Sequence, residues 1–321
     1  MNSIIIYVSS RNNYDMLSGE VLKNINMEGF EFINIDDKSS SEELQKGKRI
    51  CQENNIVFLE NESRGVQHAT NTLVKFIKKN RPNCKWVICF QHDCYPITKN
   101  FFSRISKLID DGKLDNFGTV GFNRIDMGKH TPGAYQDWLD NKEPLGNLGL
   151  AHLSILDETK RWIQPNRNSW LVNNKDWWKP LSIEISAWTA IGINVDLWEK
   201  WIEPTDEYHF HLWAPDVSMQ FLYHNFHNLV LPKLYLMNKQ ELKENYGIEA
   251  NSAHGSQKGN EYHFGHYQPS HEVWKERWGW DYEIPNTILD VRQSYEGTLI
   301  DEFINHDTYS GPLKTFDLGE Y

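Results

Sequence analysis

The sequence is short of four things, and each shortage excludes a class of function. Cysteine is scarce: Cys51, Cys84, Cys89 and Cys94 all lie in the first third. No CxxC pair exists and none of the four sits near a spaced histidine pair, so reduced structural thiols are expected rather than zinc or disulfides. Long apolar runs are missing. The N-terminal run Ile4 to Val8 is too short for a signal-peptide core and no basic residue precedes it. Nothing approaches the ~20 apolar residues of a membrane helix, so a soluble, cytoplasmic protein is expected. Positive charge is in deficit, with 33 Lys+Arg against 44 Asp+Glu and a net charge of −11. A nucleic-acid binder needs a basic face to displace counterions, so no nucleic-acid partner is expected. Tryptophan is rare early: Trp86 alone precedes Trp138, and the other 12 lie between Trp138 and Trp280.

What is present is ample for a core. The chain has 321 residues, of which 39% are hydrophobic. Length alone suggests about two domains or one large one. Short β-branched or aromatic runs read as strands at Ile4–Val8, Phe30–Ile35, Ile56–Leu59 and Trp86–Phe90. Helical patterns lie between them. Ser39-Ser40-Ser41-Glu42-Glu43 carries a capping box that opens a helix to about Asn54. Gly65 to Asn80 and Asn100 to Asp111 each gather apolar residues on one face. Strands alternating with helices predict βαβ units and an α/β fold with a mostly parallel central sheet. Further on, a helix is expected around Leu156 to Trp162, another at Asp196 to Trp201 and a third from Pro215 to Asn228. A strand should start at Leu229, and an acidic tail from Asp290 to Tyr321 is expected to wrap the domain.

In open α/β sheets, ligands bind beyond the carboxyl ends of the strands. Those ends read Ser9-Ser10-Arg11-Asn12, Asp36-Asp37-Lys38-Ser39, Glu60 to Gly65, and Gln91-His92-Asp93. Carboxylates and arginines recur there, which makes a polar site beside the sheet. No GxGxxG, GxxxxGK[ST] or GxSxG is present, so a dinucleotide fold, a P-loop and a nucleophile elbow are all unsupported.

Five segments, in order over roughly residues 1–280, resemble family 2 glycosyltransferases of the GT-A fold. Asp36-Asp37-Lys38-Ser39 is similar to their DDxS loop. Asn61 to Asn71 resembles their N-x-G-x-x-x-A-x-N segment. Gln91-His92-Asp93 takes the place of their DxD metal motif, with Gln for the first Asp. Ala214-Pro215-Asp216 stands where they carry E-D and the catalytic base, with Pro for the Glu. Trp274 to Gly279 resembles their F-x-x-K-W-G.

The resemblance implies a single GT-A domain. Residues 1–110 would form its nucleotide-sugar-binding half, 111–285 its acceptor-binding half and 286–321 a tail. It implies an inverting hexosyltransferase that moves a sugar from a nucleotide donor to a glycan or other hydroxyl acceptor. Ser9, Arg11, Asp36, Arg64 and Asp93 would bind the nucleotide. Of Asp36 and Asp37, one is expected to cap the following helix and the other to meet ligand. A divalent cation, Mn2+ or Mg2+, would neutralise the leaving diphosphate through hard oxygen ligands. Asp93 would anchor it, His254 and His266 would complete the shell, and His92 offers a further nitrogen. Asp216 would serve as general base for the acceptor hydroxyl, or else cap its own helix. Trp188 and Glu184 would hold the acceptor, because apolar sugar faces stack on aromatic rings. The pairs His209/His211 and His224/His227 have metal-like spacing but no third ligand, so packing is expected of them. Three other classes stay open: a nucleotidyltransferase on this fold, a retaining transferase, and a carbohydrate-binding protein without catalysis.

Overall fold

The computed structural model describes residues 3–127, 155–156, 161–163, 180–183, 190–208, 212–239, 270–278, 289–290 and 316–321. The expected early strands are β1 (Ile4–Ser10), β2 (Glu31–Asp36), β3 (Val57–Glu60) and β4 (Trp86–Phe90). They pair in parallel in the order β3-β2-β1-β4. Their apolar runs are continuous because both faces of β1 are covered, as parallel sheets require. Ile4, Ile6 and Val8 enter one core and Ile5 and Tyr7 the other.

The second half of the chain extends the same sheet. Strands β5 (Cys94–Pro96), β6 (Phe117–Met127), β9 (Leu181–Ile183), β10 (Ala190–Asn194) and β11 (His227–Lys239) join it. β10 lies antiparallel between β4 and β6, and β11 runs parallel to β6. β5 and β9 are antiparallel to β11. Six of the nine strands therefore point the same way, the mostly parallel sheet expected. A register shift in β11 falls between Leu231 and Tyr235, around Pro232, which has no N–H for the ladder.

Helices cover both faces. On one side pack α4 (Val66–Asn80), α6 (Val195–Trp201), α7 (Trp213–Tyr223) and α8 (270–278). The other side carries α3 (Ser41–Glu53), α5 (Phe101–Asp110) and a helical stretch through α1 (Tyr14–Met16), a π-helical turn Leu17–Val21 and α2 (Leu22–Asn24). The N-cap of α3 is Ser40, whose hydroxyl accepts from the Glu43 N–H, as the capping box predicts. Glu43 turns its own carboxylate to the Tyr14 N–H instead of closing the box.

Two expectations fail. The helix expected at Leu156 to Trp162 is a pair of antiparallel strands, β7 (Ile155–Leu156) and β8 (Arg161–Ile163), with β12 (Leu289–Asp290) beside β8. The helix expected to reach Asn228 stops at Tyr223, because Asn225 is left-handed at φ 65 and His227 already begins β11. At the C-terminus, residues 316–321 do lie against the body. Lys113 donates to the Leu318 carbonyl at 2.7 Å, and the Phe316 ring meets that of Phe117. Among the described residues no helix is long and apolar enough to cross a membrane.

Candidate functional site

Two clusters of buried polar groups stand out, one beyond the ends of β1–β4 and one beneath α7. At the strand ends, the adjacent carboxylates Asp36 and Asp37 divide their work. Asp36 looks inward: Oδ1 accepts from the Tyr14 hydroxyl at 2.7 Å and Oδ2 from the Ser39 N–H at 3.1 Å. It ties the β2–α3 turn, and Asp37 is the carboxylate on which the arginine charges act. Asp37 Oδ1 accepts from the Gly65 N–H at 2.7 Å and from Asn61 Nδ2 at 2.8 Å. Burial raises its pKa above the ordinary carboxylate range, against the lowering pull of those two donors and of Arg11 and Arg64. Asn61 also donates to the Gly65 carbonyl. Gly65 itself sits at φ 108, where a side chain would strain the backbone, so only glycine brings its N–H to Asp37 cheaply.

Arg11 and Arg64, which follow β1 and β3, both act electrostatically on Asp37. Ser9 is half-buried in β1, opposite Ile35. Asp93 is buried in the short turn between β4 and β5.

His92 is not available as a metal ligand, a correction to the nitrogen offered above. Its Nε2 lies 2.9 Å from Ser10 Oγ and its Nδ1 lies 3.1 Å from Asn13 Nδ2. Burial pushes its pKa down to about 3, so the ring is neutral. Among the described residues no three His, Cys, Asp or Glu side chains converge on a metal-sized site. Asp93 is the one hard carboxylate the described part of Gln91-His92-Asp93 offers. His254, His266, Glu184 and Trp188 lie outside the described residues, as do His209 and His211. His224 stacks on Trp201 at 4.5 Å, the packing role expected of it.

Asp216 heads the second cluster, in the first turn of α7 and fully buried. Gln67 Nε2 and Gln220 Nε2 donate to Oδ2 at 2.9 and 2.8 Å. Trp278 Nε1 donates to Oδ1 at 2.8 Å, and Arg277 Nε stands 3.4 Å from the same oxygen. Gln67 further binds the Trp213 carbonyl and the Thr205 N–H. A carboxylate has about four lone-pair directions, and four protein donors surround this one. Asp216 therefore joins α4, α7 and α8. Burial raises its pKa against the lowering effect of Arg277 and the three hydrogen bonds.

Gln67, Asn34 and Tyr14 were not singled out from sequence. The available signal was polarity at positions whose periodicity assigns them to the core, such as Asn34 between Ile33 and Ile35. The four cysteines are free and buried.

No protein-family model matches the chain, and no curated protein does. Among solved structures it is similar to GalNAc-T7, crystallised with UDP, GalNAc and Mn2+, at a TM-score of 0.53 and 14% identity. That likeness covers 96% of this chain and 57% of the GalNAc-T7 chain, so the chain spans little more than half its length. S. aureus TarS matches at a TM-score of 0.43 and 14% identity, over 88% of this chain and 44% of that one. Its residues 1–349 match at the same score and identity, over 83% and 72%. With a parallel β3-β2-β1-β4 core, an antiparallel β10 and polar side chains gathered at the strand ends, the chain has the GT-A glycosyltransferase fold.

Proposed function

We propose that the protein is a glycosyltransferase that takes its sugar from a nucleotide donor and passes it to a glycan or other hydroxyl acceptor. What supports this reading is the buried Asp37 carboxylate at the end of β2, on which the charges of Arg11 and Arg64 act from beyond β1 and β3, with the buried Asp93 beyond β4, the strand next to β1. Two guanidiniums suit a diphosphate, and a buried carboxylate suits the N–H and O–H donors of a base or ribose. Residues 1–110 supply this half, 111–285 hold the acceptor and 286–321 form the tail. The cytoplasmic setting belongs to the same proposal, supported by four free cysteines.

A divalent ion would be held by Asp93, the position that the last Asp of DxD occupies by resemblance. When bound, it would supply charge neutralisation for the departing diphosphate. His254 and His266 remain its proposed partners. Arg11 and Arg64 act on the same charge from the protein side.

For Asp216 the resemblance supports inversion, with this carboxylate as base. Its surroundings favour a second reading, a structural one, because a base needs a lone pair open to the acceptor and four donors already crowd Asp216. We adopt the structural role, which keeps retention open as a stereochemical course. A screen of sugar nucleotides for metal-dependent turnover, followed by NMR of the product anomer, tests both points. Turnover that Asp93→Ala abolishes supports the reading. No turnover and no nucleotide binding by the wild type would sink it, and binding of glycans alone would favour a non-catalytic protein.

A further inference from the structure

The strand-end cluster contains a chain of buried hydrogen bonds whose direction is fixed by its two ends. Asp36 can only accept, so the Tyr14 hydroxyl spends its one proton on Asp36 Oδ1. Asn34, 3.4 Å from the same hydroxyl, must then present Nδ2 to it. That orientation turns Asn34 Oδ1 to Ser10, which donates to it at 2.5 Å. Ser10 has no second proton, so it accepts from His92 Nε2–H. The remaining ring nitrogen, Nδ1, is bare and accepts from Asn13 Nδ2. Asn13 Oδ1 in turn accepts from the backbone N–H of Arg11 at 3.0 Å. Every step agrees with its neighbours, and only one tautomer of His92 satisfies all of them.

The chain crosses from the end of β4 through β1 to β2. It starts at the Arg11 amide, passes the residue before Asp93 and ends on the residue before Asp37. Its members are buried, where a broken link would leave a polar group unpaired. We propose that His92, held as its Nε2–H tautomer by Ser10 and Asn13, is a positioning residue that locks the ends of β1, β2 and β4 into the arrangement in which Arg11, Asp37 and Asp93 receive the nucleotide. This rests on the nucleotide-sugar reading above. It assigns the middle residue of Gln91-His92-Asp93 to the protein's own framework, and it accounts for Asn34 inside an apolar strand.

The test uses UDP with Mn2+ as the probe, on the full chain, with Ser10→Ala and Asn34→Asp as variants. Ser10→Ala deletes two links with little change of volume. Asn34→Asp keeps the shape but removes the donor that faces Tyr14. Thr70→Val is the control, since it removes the buried Tyr7–Thr70 hydrogen bond, which lies outside the chain. The proposal expects UDP affinity to fall about tenfold or more in both variants and to hold in the control, with thermal melting still cooperative in all three. Nitrogen-15 NMR of the wild-type His92 ring should show a protonated Nε2, a bare Nδ1 and slow exchange of the ring proton. Unchanged UDP affinity in Ser10→Ala and Asn34→Asp would overturn the proposal, as would an Nδ1–H tautomer. If the wild type binds no UDP, the nucleotide reading fails, and positioning is judged separately. Backbone amide resonances of Arg11 and Asp93 must then shift in Ser10→Ala but not in Thr70→Val, and unmoved resonances overturn it.

Discussion

The strand-end cluster and the cluster around Asp216 are both buried, both built on a carboxylate, and differ in what they leave open. Asp216 is surrounded on all sides by donors from three helices. Asp37 spends one oxygen on two neutral donors and is acted on by the charges of two arginines that follow different strands. The first arrangement holds helices together. In both, burial raises the carboxylate's pKa against its partners; in the second, a single oxygen carries both hydrogen bonds. Burial of a carboxylate therefore does not by itself mark a catalytic group; the count of donors around it separates the two.

The largest expected effect breaks the Asp216 side. Asp216→Ala strands the donors of Gln67, Gln220 and Trp278 and removes the partner of Arg277. Truncating one member of a buried ion pair costs about 3–5 kcal/mol, which should lower Tm by roughly 10 °C for a chain of this size. Asp216→Asn sharpens the comparison. In the structural role, turnover below the melting range falls no further than the folded fraction does. In a general-base role, kcat would drop about 10²–10⁴-fold beyond any loss of folded fraction.

A smaller effect is expected at Gly47, in the middle of α3. Helix propensity alone favours Gly47→Ala by up to about 1 kcal/mol. A Cβ there would enter the Tyr14 ring, and overpacking costs about 1–3 kcal/mol. Packing wins, so the variant should melt lower, and UDP affinity should fall with it because Tyr14 feeds Asp36.

The smallest stability effect, and the most telling, is at Asp37. Asparagine at this position can still accept from Asn61 and Gly65 without the burial cost of a charge. Asp37→Asn should therefore melt at or above the wild type at neutral pH while losing UDP. The sign follows from linkage. The folded pKa of Asp37 is raised, so its favourable contribution is full below the unfolded value near 3.8 and is lost as pH rises through the folded value. The gap between variant and wild type should thus close on acidification, which thermal melts across pH will read.

Much of this was legible in sequence where local rules and tertiary structure agree. The four parallel strands, the Ser40 cap and the helices beginning near Gly65 and Asn100 needed only periodicity and capping chemistry. The strand-end rule pointed to Arg11, Arg64 and Asp93. It could not choose between Asp36 and Asp37, because that choice depends on Tyr14, which arrives from another element. His92 read as a ligand because its partners, Ser10 and Asn13, lie about 80 positions away. The donors around Asp216 were equally hidden, because Trp278 and Arg277 reach it from a distant helix. Pairings across long sequence separations carry no local signal.

The central claim is that the ends of β1–β4 bind a nucleoside diphosphate through Asp37 and its arginines. Titration calorimetry of UDP with Mn2+ into wild type and Asp37→Asn tests it most directly. The account predicts one-to-one binding by the wild type and none measurable by a variant that melts no lower. Equal binding by both proteins, or none by the wild type, would contradict it.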